Sequence, residues 1–135
     1  MLVVDTNIIA PLYMRSARTE AVAELFARDP VWRTEPLALI ELSNVLVTYQ
    51  RARYITAASA RECLSRAAAL LQPHLFRVTH QAALDAALQY GTTAYDARFL
   101  ALADQLGSRL VTEDLRLRAA APTLTQSLAE ALALA

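Results

Sequence analysis

Short apolar segments alternate with helix-length segments along this chain, and this alternation limits the possible folds more than any other feature. Strands that are separated by helices predict a parallel sheet with helices packed on both of its faces. The sequence therefore predicts an α/β protein built on a short parallel sheet. The segments that we predict as strands are residues 2–5, 31–34, 75–79, 109–112 and 123–125.

Helical spacing of apolar residues and recognisable end signals predict the remaining elements. Gly91 and Gly107 both fall at predicted helix ends, where a left-handed residue commonly follows the last turn. In the long helix that begins near Pro36, Ile40 and Val47 share one apolar side. The predicted helices are residues 20–28, 36–53, 57–71, 80–90, 93–106, 115–120 and 127–134.

The length and composition exclude several classes of protein. A chain of 135 residues has the usual size of one domain, so we predict a single domain over residues 1–135. Hydrophobic residues make up 56% of the chain, which excludes a disordered protein. The single cysteine, Cys63, excludes an internal disulfide and a metal–thiolate cluster. Because we find neither a membrane-length apolar run nor a signal peptide, we expect a cytoplasmic protein.

The charged residues balance to a formal net charge of zero, so no global positive field attracts nucleic acid. All 13 cationic residues are arginine and none is lysine. Codon bias is one explanation, and the suitability of the guanidinium group for phosphate recognition is another. A groove that binds RNA would therefore have to be a local feature of the surface.

Four acidic residues stand in apolar surroundings. Asp5 ends the first predicted strand, and the strand at 109–112 runs into Glu113 and Asp114. Glu41 and Asp96 interrupt apolar helical runs. A charge in such a position is costly unless something compensates it. Ligand sites of parallel sheets lie beyond the carboxyl ends of the strands, so we expect Asp5 and Asp114 to meet there if their strands are neighbours.

Four carboxylates that converge would repel one another, and without cations some of them would take up protons. Mg²⁺ or Mn²⁺ removes that repulsion, because these hard cations take carboxylate and water oxygens as ligands. A site of acids and water suits phosphodiester hydrolysis, in which the metal activates a water molecule and screens the developing negative charge.

Each acid also has a purely structural interpretation. Helical residues follow Asp5 at once, and Asp114 precedes the helix predicted at 115–120, so each is suited to cap a helix N-terminus. Glu41 is a candidate for a salt bridge with an arginine such as Arg98. Asp96 lies near the start of its helix, where a negative charge is favourable. The occurrence of all four acids in one chain favours a shared site over four separate structural roles.

The motifs VVDTN, ALIELSNVL, YDARFLALA and LVTEDLRL occur in this order along nearly the whole chain. In this respect the chain resembles PIN domains, most closely the small VapC-type toxins of bacterial toxin–antitoxin pairs. The resemblance implies a three-layer PIN-like fold and a Mg²⁺- or Mn²⁺-dependent endoribonuclease. Its acidic positions would be Asp5, Glu41, Asp96 and Asp114, with Asp5 and Asp96 as the most direct metal ligands.

The same resemblance implies supporting roles and partners. Thr6, Asn7 and Thr112 would orient the carboxylates or bound water by hydrogen bonds. The family also leads us to expect a homodimer and a cognate antitoxin that enters the active groove. Glu113 departs from the family pattern, which often has a small or amide-bearing residue there. It either points away into solvent or adds a fifth negative charge to the site.

Other functions remain alternatives. A catalytically inactive PIN module would bind RNA or protein, and a housekeeping nuclease would process RNA without being a toxin. A haloacid-dehalogenase-like phosphatase also begins with a strand that ends on Asp, but it needs a second Asp where this chain has Asn7. A Rossmann-type nucleotide binder is disfavoured, because no glycine-rich turn follows any predicted strand.

Overall fold

A four-stranded parallel sheet lies at the centre of the protein. In the computed structural model, which describes residues 1–134, its strands are β1 (Leu2–Val4), β2 (Trp32–Arg33), β3 (Leu110–Val111) and β4 (Thr125–Gln126). Their order across the sheet is β2-β1-β3-β4, and every pairing is parallel. The α/β class and the short parallel sheet predicted from the sequence are therefore confirmed.

Helices flank the sheet and connect its strands. They are α1 (Thr6–Tyr13), α2 (Thr19–Arg28), α3 (Leu37–Arg51), α4 (Ala57–Leu71), α5 (His80–Tyr90), α6 (Ala94–Gln105), α7 (Leu115–Ala120) and α8 (Leu128–Leu134). Threonine side chains cap α4, α5 and α6, and Gly91 follows α5 with a left-handed φ of 66°. None of the helices within residues 1–134 combines the length and apolarity needed to cross a bilayer.

Three predicted segments differ most from the structure. The strand predicted at 75–79 is reduced to one bridge between Leu75 and Thr34, because a short 3₁₀ turn at Gln72–His74 directs the chain along the sheet edge only briefly. The long helix ends at Arg51, two residues early, and Arg53 beyond it has a left-handed φ of 64°. The edge strand lies at Thr125–Gln126 and only touches the predicted 123–125.

The buried side of α3 also differs from the expected one. Ala38, Leu42 and Leu46 face the core, whereas Ile40 is 67% exposed and Val47 is 42% exposed. Apolar residues occur around much of this helix, so their spacing did not identify the side that packs on the sheet.

The register of the two central strands determines where the site lies. Val4 of β1 pairs with Val111 of β3, and all four flanking apolar side chains, Val3, Val4, Leu110 and Val111, are fully buried. The next residues, Asp5 and Thr112, therefore leave the sheet side by side, and the Asp5 N–H still donates to the Val111 carbonyl at 3.0 Å. The predicted meeting of these two strand ends is correct.

Candidate active site

Asp5 joins β1 to α1 and is held on both of its carboxylate oxygens. Oδ1 accepts a hydrogen bond from the Thr6 N–H at 2.7 Å, so the residue does cap α1. Oδ2 accepts from Thr112 Oγ1 at 2.8 Å and from Asn7 Nδ2 at 3.3 Å. The side chain is only 7% exposed. The structural interpretation of Asp5 is correct, and it leaves the carboxylate facing the pocket described below.

Glu41 lies in the second turn of α3 and faces the start of α1. Its Oε1 accepts a hydrogen bond from Thr6 Oγ1 at 2.7 Å. The salt bridge to Arg98 that we considered for it is absent, because the Arg98 Nε donates instead to Glu35 Oε1 at 3.1 Å. Glu41 therefore lines the pocket without a cationic partner.

Asp96 and Asp114 each begin a helix near the same point. Asp96 lies in the first turn of α6, and its N–H donates to the capping Thr93 hydroxyl at 3.1 Å. Asp114 caps α7, with its Oδ1 accepting from the N–H groups of Arg116 and Leu117 at 3.0 and 3.1 Å. Their structural roles at helix starts are thus real, as they are for Asp5.

All four acids line one open cavity of about 230 Å³. Within the described chain its walls contain acidic, amide, hydroxyl and small apolar side chains, and no arginine or histidine. The lining residues are Asp5, Thr6, Asn7, Ala10, Glu41, Val45, Asp96 and Asp114. We call this cavity the acidic pocket. The structure therefore brings together residues that are separated by up to 109 positions in the sequence.

The electrostatics of the acidic pocket reflect this excess of negative charge. Burial raises the pKa of Asp5 to about 7, against the hydrogen bonds from Thr112 and Thr6, and the charges of Glu41 and Asp96 raise it further. Burial also raises the pKa of Glu41, with a further contribution from Asp96. Burial and the neighbouring Asp114 raise the pKa of Asp96. Three acids thus disfavour ionisation together, which marks a candidate functional site.

A hydroxyl and an amide support the acids from behind. The buried Thr112 Oγ1 donates to Asp5 and accepts from Asn7 Nδ2 at 3.2 Å and from the Asp114 N–H at 3.1 Å. Asn7 Oδ1 in turn accepts from the Glu113 N–H at 3.1 Å. Thr112 therefore contacts two of the acidic residues at once and fixes the orientation of the Asp5 carboxylate.

Glu113 turns away from the acidic pocket. Its Oε1 accepts from the Leu128 N–H at the start of α8 at 3.0 Å, and its Oε2 lies 3.8 Å from an Arg118 nitrogen. It is only partly exposed, so neither of the two expectations for this residue is fully correct. It contacts protein groups on α7 and α8 and adds no fifth charge to the pocket.

The donor set fits a hydrated hard cation better than a closed cage of protein ligands. Across residues 1–134, no three acidic, histidine or cysteine side chains are grouped so that they would hold one ion by themselves. Mg²⁺ usually keeps several waters and takes only one or two carboxylates directly. The pocket offers carboxylate oxygens and room for water, which suits this mode of binding. The raised pKa of Asp5 shows that the pocket lacks a compensating positive charge.

Sequence reasoning missed one pair of residues beside the pocket. Glu35 is only 2% exposed, and its Oε2 accepts from the Leu37 N–H at 2.7 Å at the start of α3. Its partner Arg98 also donates to the Val78 carbonyl at 2.9 Å. The available signal was an acid directly before the proline that precedes a helix, since such a residue is placed to accept from the free N–H groups there.

The fold agrees with comparisons to known proteins. The chain belongs to the PIN-domain family, whose model matches residues 2–122. Among characterised relatives it is similar to Ribonuclease VapC3 of Pyrobaculum aerophilum, with 32% identity over 126 residues that cover 91% of this chain and 96% of the relative. The resemblance to VapC-type PIN domains is therefore confirmed.

A solved structure shares the fold. The crystal structure of PAE2754 from Pyrobaculum aerophilum superposes with a TM-score of 0.78 and covers 98% of this chain and 94% of its own. The two sequences are 20% identical, so this likeness supports the three-layer architecture alone.

Proposed function

We propose that this protein is a Mg²⁺- or Mn²⁺-dependent endoribonuclease that hydrolyses phosphodiester bonds in RNA. The observation that carries the proposal is the acidic pocket, where four carboxylates converge without a cationic side chain among the lining residues. The membership in the PIN-domain family and the similarity to a protein named a ribonuclease support it.

In this proposal Asp5 and Asp96 would be the main ligands of the ion, and Glu41 and Asp114 would complete the acidic site. When bound, the ion would supply Lewis acidity and a more acidic water molecule. Thr112 and the Thr6 N–H fix Asp5, so that both of its oxygens keep one orientation. Thr6 Oγ1 holds Glu41 in the same way, and Asn7 stabilises the turn that presents Asp114.

The test is RNA cleavage by the purified protein with Mg²⁺ or Mn²⁺ and with a chelator. We expect chelation to abolish cleavage, and Asp5→Asn and Asp96→Asn each to lower the rate by about a thousandfold or more, because several kcal/mol of charge stabilisation are lost. Asp85→Asn, an exposed acid on α5, is the matched control and should cleave like the wild type. Full activity in the Asp5 or Asp96 variant would contradict the proposal.

We also propose that the enzyme is the toxin of a toxin–antitoxin pair, acts in the cytoplasm and forms a homodimer. The similarity to VapC3 supports the toxin role, and the exposed Ile40, Val47 and Tyr95 supply apolar surface for a second copy. Expression should arrest growth, and a small protein encoded beside the gene should relieve the arrest. Harmless expression would favour the housekeeping nuclease, and mass measurement by light scattering tests the dimer.

The remaining alternatives receive less support. An inactive PIN module is disfavoured because all four acids are present and line one pocket. A haloacid-dehalogenase-like phosphatase is disfavoured because Asn7 donates hydrogen bonds to Asp5 and Thr112, which makes it a supporting group and leaves no second acid there.

A further inference from the structure

A second cavity follows the acidic pocket along the contact between α1 and α3, and we call the surface from one cavity to the other the groove. Ala10 and Val45 line the pocket at its inner end. One turn further along the same helix faces, Tyr13 and Tyr49 line a second cavity of about 560 Å³. We call this second cavity the tyrosine cleft. Its lining residues are Tyr13, Met14, Arg15, Tyr49, Tyr54, Ile55, Ser59 and Cys63.

The distance between the two ends can be read from the helices. Thr6 and Glu41 touch at the acidic end, and Tyr13 and Tyr49 share the cleft at the other. The two helix segments therefore run side by side in the same direction. Seven or eight residues at the α-helical rise correspond to about 10–12 Å. An extended single strand of nucleic acid spans such a distance within a few nucleotides.

Tyr54 is the accessible ring of the cleft, whereas Tyr13 and Tyr49 are partly buried and packed against the core. The ring centroids of Tyr49 and Tyr54 lie 5.9 Å apart, and the side chain of Tyr54 is 79% exposed. The Arg66 guanidinium lies 5.8 Å from the centroid of the Tyr13 ring. Aromatic faces of this kind are the usual stacking platforms for unpaired bases.

The C-terminal cap of α3 positions Tyr54. Arg53 has a φ of 64°, which is uncommon for a residue other than glycine, asparagine or aspartate. The resulting turn lets the Tyr54 N–H donate to the Tyr49 carbonyl at 3.0 Å and brings the two rings together. Together with the bond from the Arg53 N–H to the Gln50 carbonyl at 2.9 Å, this is the common left-handed C-cap of a helix, here at the end of α3.

The segments that form the cleft are rich in arginine although the chain is neutral as a whole. The segments that carry or border the cleft, residues 13–20 and 49–66, contain six arginines and two acids, a net charge of +4. Arg15 lines the cleft, and the Arg66 guanidinium lies over the Tyr13 ring. Arg61 lines a different cavity between α3 and α4, and the other three are Arg18, Arg51 and Arg53. The groove therefore has an acidic end suited to a metal ion and an aromatic, cationic end suited to a nucleic-acid strand.

We propose that the tyrosine cleft binds unpaired nucleobases of the same RNA strand whose phosphate lies in the acidic pocket. This inference rests on the proposed function and adds a substrate requirement to it: the RNA must be single-stranded on one side of the cut. The arginines contact the phosphates between the two ends, and Tyr54 stacks on a base. This cleft supplies the local RNA-binding groove that a protein of zero net charge needs.

The test measures binding of fluorescent single-stranded RNAs of increasing length by anisotropy, in an Asp96→Asn background that prevents cutting. Tyr54→Ala should weaken binding about tenfold, and only for RNAs long enough to reach the cleft. Tyr54→Phe retains the ring and should bind like the parent. Leu88→Ala is the control, because Leu88 on α5 is 74% exposed and lines neither cavity.

A second RNA, which lacks one base at the position that reaches the cleft, separates stacking from phosphate contacts. Tyr54→Ala and the parent should bind this RNA equally, since the base that Tyr54 contacts is missing. Equal binding of intact RNA by Tyr54→Ala and the parent would overturn the proposal. It would also be overturned if Tyr54→Ala changed only the oligomeric mass or only the affinity for a protein partner.

Failure of the cleft and failure of the proposed function give different results. If the wild type and Tyr54→Ala cleave RNA at the same rate, only the cleft proposal is contradicted. Absence of cleavage with either metal contradicts the nuclease, while the anisotropy measurement still reports whether Tyr54 binds a base.

Discussion

Two neighbouring regions of this protein bury carboxylates in opposite ways. In the first, Glu35 is buried with a cationic partner, because the Arg98 Nε donates to it at 3.1 Å. In the second, Asp5 is buried against Glu41 and Asp96, and the pKa of Asp5 rises to about 7. The same two helices serve both regions, since α3 follows Glu35 and contains Glu41, while α6 contains Asp96 and Arg98.

The comparison shows that burial of an acid does not by itself indicate a function. A buried carboxylate that has an arginine partner and a helix N–H to bind is explained by the fold. A buried carboxylate that faces other acids without such a partner destabilises the fold, and a ligand that supplies positive charge explains it. The predictions below test whether the two regions differ in this way.

The largest effect on stability is expected when the arginine of the first region is removed. Arg98→Met preserves much of the side-chain volume but leaves Glu35 buried without its partner, so the free energy of unfolding should fall by about 3–5 kcal/mol. Urea denaturation measures this change. Arg77→Met is the control, because Arg77 is exposed nearby and its loss should change stability by less than about 0.5 kcal/mol. Equal effects of the two variants would show that Glu35 does not depend on Arg98.

Removal of the charge in the second region should have the opposite sign. A carboxyl whose pKa is higher in the folded protein than in the unfolded chain favours folding at low pH, and this contribution is lost as pH rises from 3.8 to about 7. Asp5→Asn with a chelator present should therefore raise the free energy of unfolding by about 2–4 kcal/mol near pH 8 and by little near pH 4. A gain that is independent of pH would contradict this explanation.

Added Mg²⁺ or Mn²⁺ should stabilise the wild type through the acidic pocket. An ion that binds only the folded wild type stabilises it, and an ion concentration of about a hundred times the Kd would contribute about 2.7 kcal/mol. The ion should raise the stability of Asp5→Asn much less, and it should stabilise Asp85→Asn as much as the wild type. Thermal unfolding at fixed pH measures this, and equal stabilisation of all three proteins would exclude the acidic pocket as the ion site.

A smaller effect is expected from the hydroxyl that supports Asp5. Thr112→Val keeps the shape of the side chain but removes the hydrogen bonds to Asp5 Oδ2 and to the Asp114 N–H. Loss of such a supporting group typically lowers metal affinity or activity about 10–100-fold. Thr112→Ser retains the hydroxyl and should recover most of the cleavage rate. If the valine and serine variants cleaved equally, the hydroxyl would have no part in holding the site.

The sequence predicted the acidic pocket better than the paired acid beside it. Asp5 and Asp114 were recognisable because each follows an apolar strand, and parallel strands bring their carboxyl ends to one edge. Glu35 was missed because it stands between polar residues and a proline, where an acid is usually exposed. Its burial depends on Arg98, 63 residues later, which no local pattern reveals.

The same limit applies to the fold. The threonine caps and both glycines fixed helix boundaries through local chemistry, so these boundaries were predictable. The buried side of α3 was not, because Ile40 and Val47 are as apolar as Leu42 and Leu46 and only tertiary packing distinguishes them. The segment at 75–79 failed for a related reason, since its pairing with Thr34 depends on the 3₁₀ turn before it.

The smallest effect is expected at Glu113, which tests the comparison between two adjacent acids. Glu113→Gln keeps an oxygen that accepts from the Leu128 N–H and loses only a partly exposed ion pair with Arg118, worth about 1 kcal/mol or less. Cleavage and metal dependence should be unchanged. Asp114→Asn also remains a good helix cap and should be equally stable, but it loses a charge of the acidic pocket and should cleave RNA far more slowly. If Glu113→Gln reduced cleavage as much as Asp114→Asn, the charge of Glu113 would act in the site although its side chain binds α8. Whether a carboxylate points into the acidic pocket would then not distinguish functional acids from structural ones.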